Sequence, residues 1–313
     1  MRKVKFSCGF RGSPACKNGS PRTIYSSLEN CFSGSSKTQE PPENPCDARP
    51  MQSNYNLGLV AISFIVATLG SFTAIDLADR LSILAYARAR PLWLAAGALA
   101  MGVGIWSMHF IGMLSFSLSI PIGYDLALTC YSLVIAVLVS WFALHIVTRG
   151  RLKLIHLFAG GVLMGLGIAG MHYMGMAAML MNPAIRYEPT RFAGSILIAI
   201  AASTAALWVA NTLRGADQNL VMPKRIGAAC VMGIAIAGMH YTGMAAANFP
   251  AGSVCGAANG IKPQWLAAAV IPFAFAILIV TLLLSRLDAR VAFLARSVAR
   301  LNDQIDRVRG PIL

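Results

Sequence analysis

The chemistry of this sequence is concentrated in methionine and histidine residues that recur in one pattern. The pattern M-G-x-x-I-x-x-M-H-x-x-G-M occurs three times, starting at Met101, Met164 and Met232, and seven of its thirteen positions are the same in every copy. Imidazole nitrogen binds several transition metals, whereas thioether sulfur is a soft ligand that selects Cu(I). A pattern that joins these two ligand types predicts a metal site that prefers copper.

Helical geometry places the ligands of each copy close together. The histidine and the last methionine are four residues apart and share one face, while the methionine before the histidine lies about 100° to the side. The predicted metal ligands are Met108, His109, Met113, Met171, His172, Met176, Met239, His240 and Met244. The first methionine of each copy lies about 10 Å further along the helix from the site than the methionine that precedes the histidine. A candidate second layer therefore consists of Met101, Met164 and Met232.

The composition predicts that these residues lie in a membrane. Hydrophobic residues make up 57% of the 313 residues and charged residues 12%, whereas soluble proteins average roughly a quarter charged. Seven apolar stretches approach the roughly 20 residues of a membrane-spanning helix. They cover residues 57–78, 91–116, 124–147, 154–180, 193–213, 225–247 and 264–285. The predicted fold is an all-α, seven-transmembrane helix bundle, with the motifs on helices two, four and six.

The basic residues predict the orientation of the bundle. Fifteen lysines and arginines flank one set of helix ends or follow helix seven, and three flank the other set. Cytoplasmic loops carry the excess of such residues, so we expect the N-terminus outside and the C-terminus in the cytoplasm. Each histidine then lies roughly 21–27 Å along its helix, in the outer half of the bilayer. The net charge of +14 indicates contact with lipid, and we expect no nucleic-acid partner.

Two segments flank the predicted membrane domain of residues 51–285. Residues 1–50 are polar and rich in Gly, Ser and Pro, which predicts a disordered tail, and Met51 is a candidate for the natural start. Residues 286–313 predict a cytoplasmic amphipathic or coiled-coil helix. Its apolar residues alternate at spacings of four and three: Leu287, Val291, Leu294, Val298, Leu301, Ile305 and Val308. This heptad favours a homodimer, and a helix lying on the membrane surface is the alternative.

A copper site between helices predicts a sensor of diatomic gas or of redox state. A copper transporter and a haem-binding electron carrier are alternatives that would use the same residues. Methionine and glycine also serve in ordinary helix packing, where a small glycine allows helices to approach closely. Three matched histidines inside a membrane favour a functional site, because polar groups there are costly. We expect no enzymatic activity, since the sequence contains no phosphate-binding loop and no nucleotide motif.

The motif carries a resemblance to a known family. The chain resembles the MHYT family, named for the residues Met-His-Tyr-Thr, which stand intact at positions 239–242. The resemblance covers about residues 51–285 and implies a bacterial membrane sensor that binds copper near the outer face and senses oxygen, carbon monoxide or nitric oxide. Family members often continue into cytoplasmic diguanylate-cyclase, phosphodiesterase or kinase modules. We expect a separate cytoplasmic output protein here, because the sequence ends shortly after the heptad helix.

Overall fold

The computed structural model describes residues 53–83, 90–148, 153–212, 218–250, 253–256 and 260–309. Seven long helices make up most of these residues. All seven are long and apolar enough to cross a membrane. They are α1 (Leu57–Ile83), α2 (Arg90–Ser115), α3 (Leu126–Val147), α4 (Leu154–Ala177), α5 (Pro189–Thr212), α6 (Gln218–Ala246) and α7 (Pro263–Arg309). The predicted all-α, seven-helix fold is confirmed. The predicted tail, residues 1–50, lies outside the described residues.

Several helices extend beyond the apolar stretches that predicted them. α1 continues past residue 78 to Ile83, and α6 begins at Gln218 rather than near residue 225. α7 continues past residue 285 as one helix to Arg309, so the heptad segment is joined to the last membrane span without a break. Hydropathy marks only the apolar part of a helix. The backbone hydrogen bonds that define the helix continue past the point where its side chains become polar.

Six of the helices form a closed ring. Each of α1 to α6 packs against its neighbours in the chain, and α6 closes the ring against α1. Across the interior, α2 also contacts α4 and α6, while α7 packs beside α1 and α2. The ring therefore consists of three two-helix units, α1–α2, α3–α4 and α5–α6, each ending in a helix that carries the motif.

The first glycine of every motif copy lets its helix approach an odd-numbered neighbour closely. A Cβ atom on any of these glycines would overlap a residue of that neighbour, which is α3 for α2, α5 for α4 and α1 for α6. The overlapping pairs would be Gly102 with Val137, Gly165 with Ile200, and Gly233 with Thr68. The same motif position thus makes the same packing contact three times around the ring.

Short antiparallel strands cover one end of the bundle, the end at which α2, α4 and α6 finish, called here the motif end. The strands are β1 (Ser53–Tyr55), β2 (Phe116–Leu118), β3 (Met181–Asn182), β4 (Arg186–Tyr187), β5 (Ala247–Asn248) and β6 (Val254–Cys255). β1 pairs with β2, β3 with β6, and β4 with β5. These segments leave the helix ends close together, so their backbone N–H and C=O groups form hydrogen bonds with one another in short ladders. We call these strands and the residues packed beneath them the cap.

A cluster of charged residues joins three helices at the opposite end. Arg225 of α6 lies 2.8 Å from Asp79 of α1 and 4.0 Å from Asp76. Asp76 is also held from α7, because Ser285 Oγ donates a 2.6 Å hydrogen bond to it and Arg286 lies 3.6 Å away. The side chains of Arg225 and Asp76 are only 8% and 10% exposed. The cluster therefore ties α7 to the ring through buried charges.

We predict that Arg225→Met lowers the thermal stability of the purified protein strongly. Removing one member of a buried ion pair costs about 3–5 kcal/mol, because the partner charges remain buried and uncompensated. Arg307→Met is a matched control, since it removes a 2.6 Å ion pair with Asp303 that is exposed on α7 and is worth little. Unfolding midpoints measured in the same detergent test this, and equal midpoints for the two variants would contradict it.

Candidate metal centre

The three motif histidines meet at the centre of the bundle. Nδ1 of His109 lies 3.2 Å from Nδ1 of His240 and 3.1 Å from Nδ1 of His172. The ligand nitrogens of all three lie within 4.8 Å of one another. Each side chain is at most 1% exposed. Three residues that are far apart in the sequence thus form one buried imidazole cluster.

The histidines meet because the three motif helices place them at the same height. Each histidine precedes the last residue of its helix by five or six positions, the ends being Ser115, Ala177 and Ala246. At 1.5 Å per residue this puts all three rings about 8–9 Å below the motif end. α2, α4 and α6 run in the same direction, so equal spacing along the chain becomes equal depth in the bundle.

The second glycine of each motif copy holds a histidine from another helix. A Cβ atom on Gly175 of α4 would overlap the ring of His109, with Nε2 as the nearest atom. The other two glycines repeat the arrangement, Gly243 with His172 and Gly112 with His240. The contacts run in a cycle from α2 to α4, from α4 to α6 and from α6 back to α2. Each glycine thereby directs Nε2 toward a helix backbone and leaves Nδ1 facing the cluster.

Two of the three Nδ1 separations are close to the spacing that a bound metal ion would impose. A metal bound about 2.0 Å from each of three nitrogens holds those nitrogens roughly 3.3–3.5 Å apart, close to the 3.1 and 3.2 Å found here. Neutral imidazoles that turn the same ring atom toward one another in an apolar interior need a cation or shared protons between them. Among the described residues no carboxylate joins the cluster. The donor set therefore fits a metal that accepts neutral nitrogen ligands.

The six methionines of the predicted site are as buried as the histidines. Their exposed fractions lie between 0% and 2% for Met108, Met113, Met171, Met176, Met239 and Met244. The last methionine of each copy lies one turn nearer the motif end than its histidine, and these three belong to the apolar cluster that includes the cap. The structure brings ring nitrogens of the three histidines within 4.8 Å of one another. Metal ligation by the methionine thioethers stays a prediction.

The cap closes the site from the motif end. Phe116, Tyr124, Phe249 and Cys255 are each at most 8% exposed. The thiol of Cys255 donates a 2.9 Å hydrogen bond to the carbonyl oxygen of Met179. Burial raises the pKa of Tyr124 above its ordinary value, so its phenol is neutral at physiological pH. This side of the site is thus apolar and uncharged, which keeps bulk water away from the imidazoles.

A second repeat, which was not predicted from the sequence, is formed by serines on the odd-numbered helices. Each of α1, α3 and α5 carries two buried serines eight residues apart: Ser63 and Ser71, Ser132 and Ser140, Ser195 and Ser203. The first serine of each pair binds an aromatic residue of a motif helix: Ser63 with Tyr241, Ser132 with Trp106, and Ser195 with Tyr173. Tyr173 and Tyr241 directly follow a histidine, so these serines help to position the motif helices. The repeated spacing was a visible signal in the sequence.

We predict that Gly175→Ala destabilises the protein, because its methyl group occupies the space of the His109 ring. Overpacking of this kind costs about 1–3 kcal/mol. Gly170→Ala is the control on the same helix. A Cβ at Gly170 has no atom within 4 Å, and alanine is the better helix former by up to about 1 kcal/mol. Thermal unfolding of both variants in one detergent tests this, and a Gly175→Ala midpoint at or above that of Gly170→Ala would refute it.

Comparison with known proteins gives the same threefold division. A family model, MHYT, described as "Bacterial signalling protein N terminal repeat", matches residues 102–160, 165–222 and 233–295. Each match starts at the first glycine of a motif copy. No solved structure matches the chain.

Three relatives illustrate the similarity. The bifunctional diguanylate cyclase/cyclic di-GMP phosphodiesterase MucR of Pseudomonas aeruginosa is 56% identical over 81% of this chain and 37% of its own length. The cyclic di-GMP phosphodiesterase NbdA of the same organism is 39% identical over 72% of this chain and 29% of its own length. The signaling protein YkoW of Bacillus subtilis is 38% identical over 62% of this chain and 24% of its own length. The chain thus spans well under half of these relatives, and with three family matches on three motif helices it belongs to the MHYT family of bacterial signalling proteins.

Proposed function

We propose that this multi-pass membrane protein is a sensor that binds copper through His109, His172 and His240. The observation that carries the proposal is the approach of three Nδ1 atoms, two of the three distances being 3.1 and 3.2 Å, inside an apolar bundle. Polar groups placed at such depth in a membrane are costly and mark functional sites. Membership of a signalling family supports a role in sensing.

Copper is the metal that this ligand set suits best. Three imidazoles form a neutral nitrogen set, and the motif methionines nearby offer soft sulfur, which favours Cu(I). Mg²⁺ and Ca²⁺ prefer oxygen ligands, which the cluster does not supply among the described residues. Copper bound here would supply a centre that changes between two oxidation states and binds diatomic gases. The protein's own residues hold the imidazoles in place and keep water out.

The geometry argues against haem. Haem held by two of these histidines would require their rings to stand on opposite faces of a flat macrocycle. The 3.1 and 3.2 Å separations of the Nδ1 atoms leave no space for such a plate. The imidazole rings are also held against glycine backbones on the other side, so they cannot withdraw without moving a helix.

We assign the motif end to the outer side of the bacterial inner membrane, on the basis of the lysine and arginine bias. The signal would then travel along α7 to the cytoplasm. α7 packs beside α2, which carries His109, and its Ser285 holds Asp76 of α1. Two relatives bear names that refer to cyclic di-GMP. We accordingly place this chain in cyclic di-GMP signalling, as the non-enzymatic sensing part that acts on a cytoplasmic output module or a separate output protein.

Metal analysis tests the copper site. Protein purified after growth with copper should contain about one copper per chain by inductively coupled plasma mass spectrometry, because one cluster offers one set of three nitrogens. The combined variant His109→Ala, His172→Ala, His240→Ala should contain none. His156→Ala, which changes an exposed histidine outside the motifs, is the control and should keep its copper. Copper retained by the triple variant, or absent from the parent after reconstitution, would overturn the site. Copper uptake into vesicles that is lost in His172→Ala would replace the sensor with a transporter.

We further propose that the heptad part of α7 pairs with a second copy of the chain. Six of its seam residues are 50–64% exposed: Leu287, Val291, Leu294, Val298, Leu301 and Ile305. The side chain of the seventh, Val308, lies outside the described residues. α7 is one helix of 47 residues, about 70 Å long and more than twice the thickness of the hydrocarbon core. A helix that continues without a break from a membrane span extends beyond the bilayer, which favours a coiled coil over a helix lying on its surface.

Charged substitutions on the seam test the dimer. Leu294→Asp combined with Leu301→Asp should abolish cross-linked dimers in membranes, because it buries like charges at facing positions of the coiled coil. Ala299→Asp is the control, since it adds a charge on the face of α7 away from the seam. Cross-linking yield on a denaturing gel is the measurement. Dimers that persist in the seam variant, or that disappear equally in the control, would exclude pairing through this face.

A further inference from the structure

A cavity begins about one turn below the imidazole cluster, on the side away from the cap. Its volume is about 50 Å³. A second cavity of about 40 Å³ shares several of the same walls and extends toward the opposite end. Protein interiors contain few voids larger than one water molecule. A cavity between the helices and one turn from the candidate site is therefore a candidate binding site.

The motif itself builds this cavity. The motif isoleucines lie one turn below the histidines, the first methionines lie two turns below, and all six line the cavity: Ile105, Ile168, Ile236, Met101, Met164 and Met232. The outer half of each motif copy thus forms the imidazole cluster, and the inner half forms a chamber beneath it. The predicted second methionine layer thus lines this chamber.

Small residues on α1 and α5 keep the chamber open. Ala67 and Ala74 of α1 and Ala199 and Ala206 of α5 line it, where larger side chains would fill it. The walls also carry two hydroxyl groups, those of Ser71 and Ser203, which are 3% and 2% exposed and have no hydrogen-bond partner. Threonines of these two helices satisfy their hydroxyls by bonding to the backbone of the preceding turn. The two serine hydroxyls stay free to contact whatever occupies the chamber.

The size and polarity of the chamber restrict its occupant. One water molecule needs roughly 10–15 Å³ on this measure together with two to four polar partners. The chamber has room for more than one water but offers only two hydroxyls among otherwise apolar walls. A small neutral molecule with little polarity fits better, because it fills the space by apolar contact and accepts at most one or two weak hydrogen bonds. Such molecules also partition into the bilayer core, which surrounds the bundle at this depth.

We propose that this chamber is the docking site for a diatomic gas that reaches the imidazole cluster from the membrane side. The cap closes the other side, where Phe116, Tyr124 and Phe249 are buried over the site. Ile236 and Met239 of α6 line the chamber within one turn of His240, so a molecule held there lies next to the cluster. The role of the docked gas rests on the proposed function, whereas the existence of the docking site does not.

Xenon tests the chamber, because it is a neutral apolar probe close in size to a diatomic gas and scatters X-rays anomalously. Crystals of the purified protein pressurised with xenon should show an anomalous peak between Ser71, Ser203 and the motif methionines. Ala199→Leu should remove the peak by filling the chamber from α5. Ala67→Leu should do the same from α1, so that one of the two remains informative if the other fails to fold. Ala201→Leu is the matched control, since Ala201 lies on the exposed face of α5, and it should keep the peak.

The outcomes separate this inference from the proposed function. A parent crystal without a xenon peak, a peak that survives both filled variants, or ordered waters that xenon fails to displace would overturn the docking site. Copper content measured on the same preparations tests the imidazole site independently. A xenon peak in protein that binds no copper would uphold the chamber while the proposed function fails. Copper binding without a xenon peak would uphold the copper site while the docking site fails.

Discussion

Each buried imidazole packs against a glycine of the next motif helix and occupies the space that a larger side chain would fill there. This packing organises the rest of the bundle. His109 lies on Gly175, His172 on Gly243 and His240 on Gly112. Because the three contacts form a closed cycle, no motif helix can rotate or slide without displacing an imidazole. The orientation of the rings and the approach of the Nδ1 atoms follow from this steric arrangement, once the helices hold the histidines at one height.

The surroundings of the cluster differ on its two sides. Toward the motif end, the last methionine of each copy and the aromatic residues of the cap form one buried apolar cluster. Toward the middle of the membrane, alanines and serines of α1 and α5 leave a chamber. Tight packing transmits small displacements because a filled core has few alternative arrangements. An open chamber admits a ligand. A site with one filled side and one open side is therefore suited to convert the arrival of a small molecule into a movement of helices.

The charged cluster at the opposite end gives such a movement a route to α7. Arg225 belongs to α6, which also carries His240, and one of its two partners on α1, Asp76, is held in turn by Ser285 and Arg286 of α7. Buried ion pairs have few alternative geometries, since each change exposes a charge to an apolar environment. A shift of α6 along its axis would therefore have to move α7 or break the cluster. The heptad segment continues from α7 as the same helix.

The sequence by itself determined the membrane location, the seven helices and the identity of the three histidines, because hydropathy and a repeated motif are local properties of the chain. It could also have revealed the serine pairs of α1, α3 and α5, since their spacing is as regular as that of the motif. The tertiary structure decided which glycine receives which histidine, how the links pair as strands, and that Asp76 is shared by α6 and α7. Those features depend on which helices are neighbours and how they are rotated. Periodicity within one helix leaves both undetermined, and only the closing of the ring selects them.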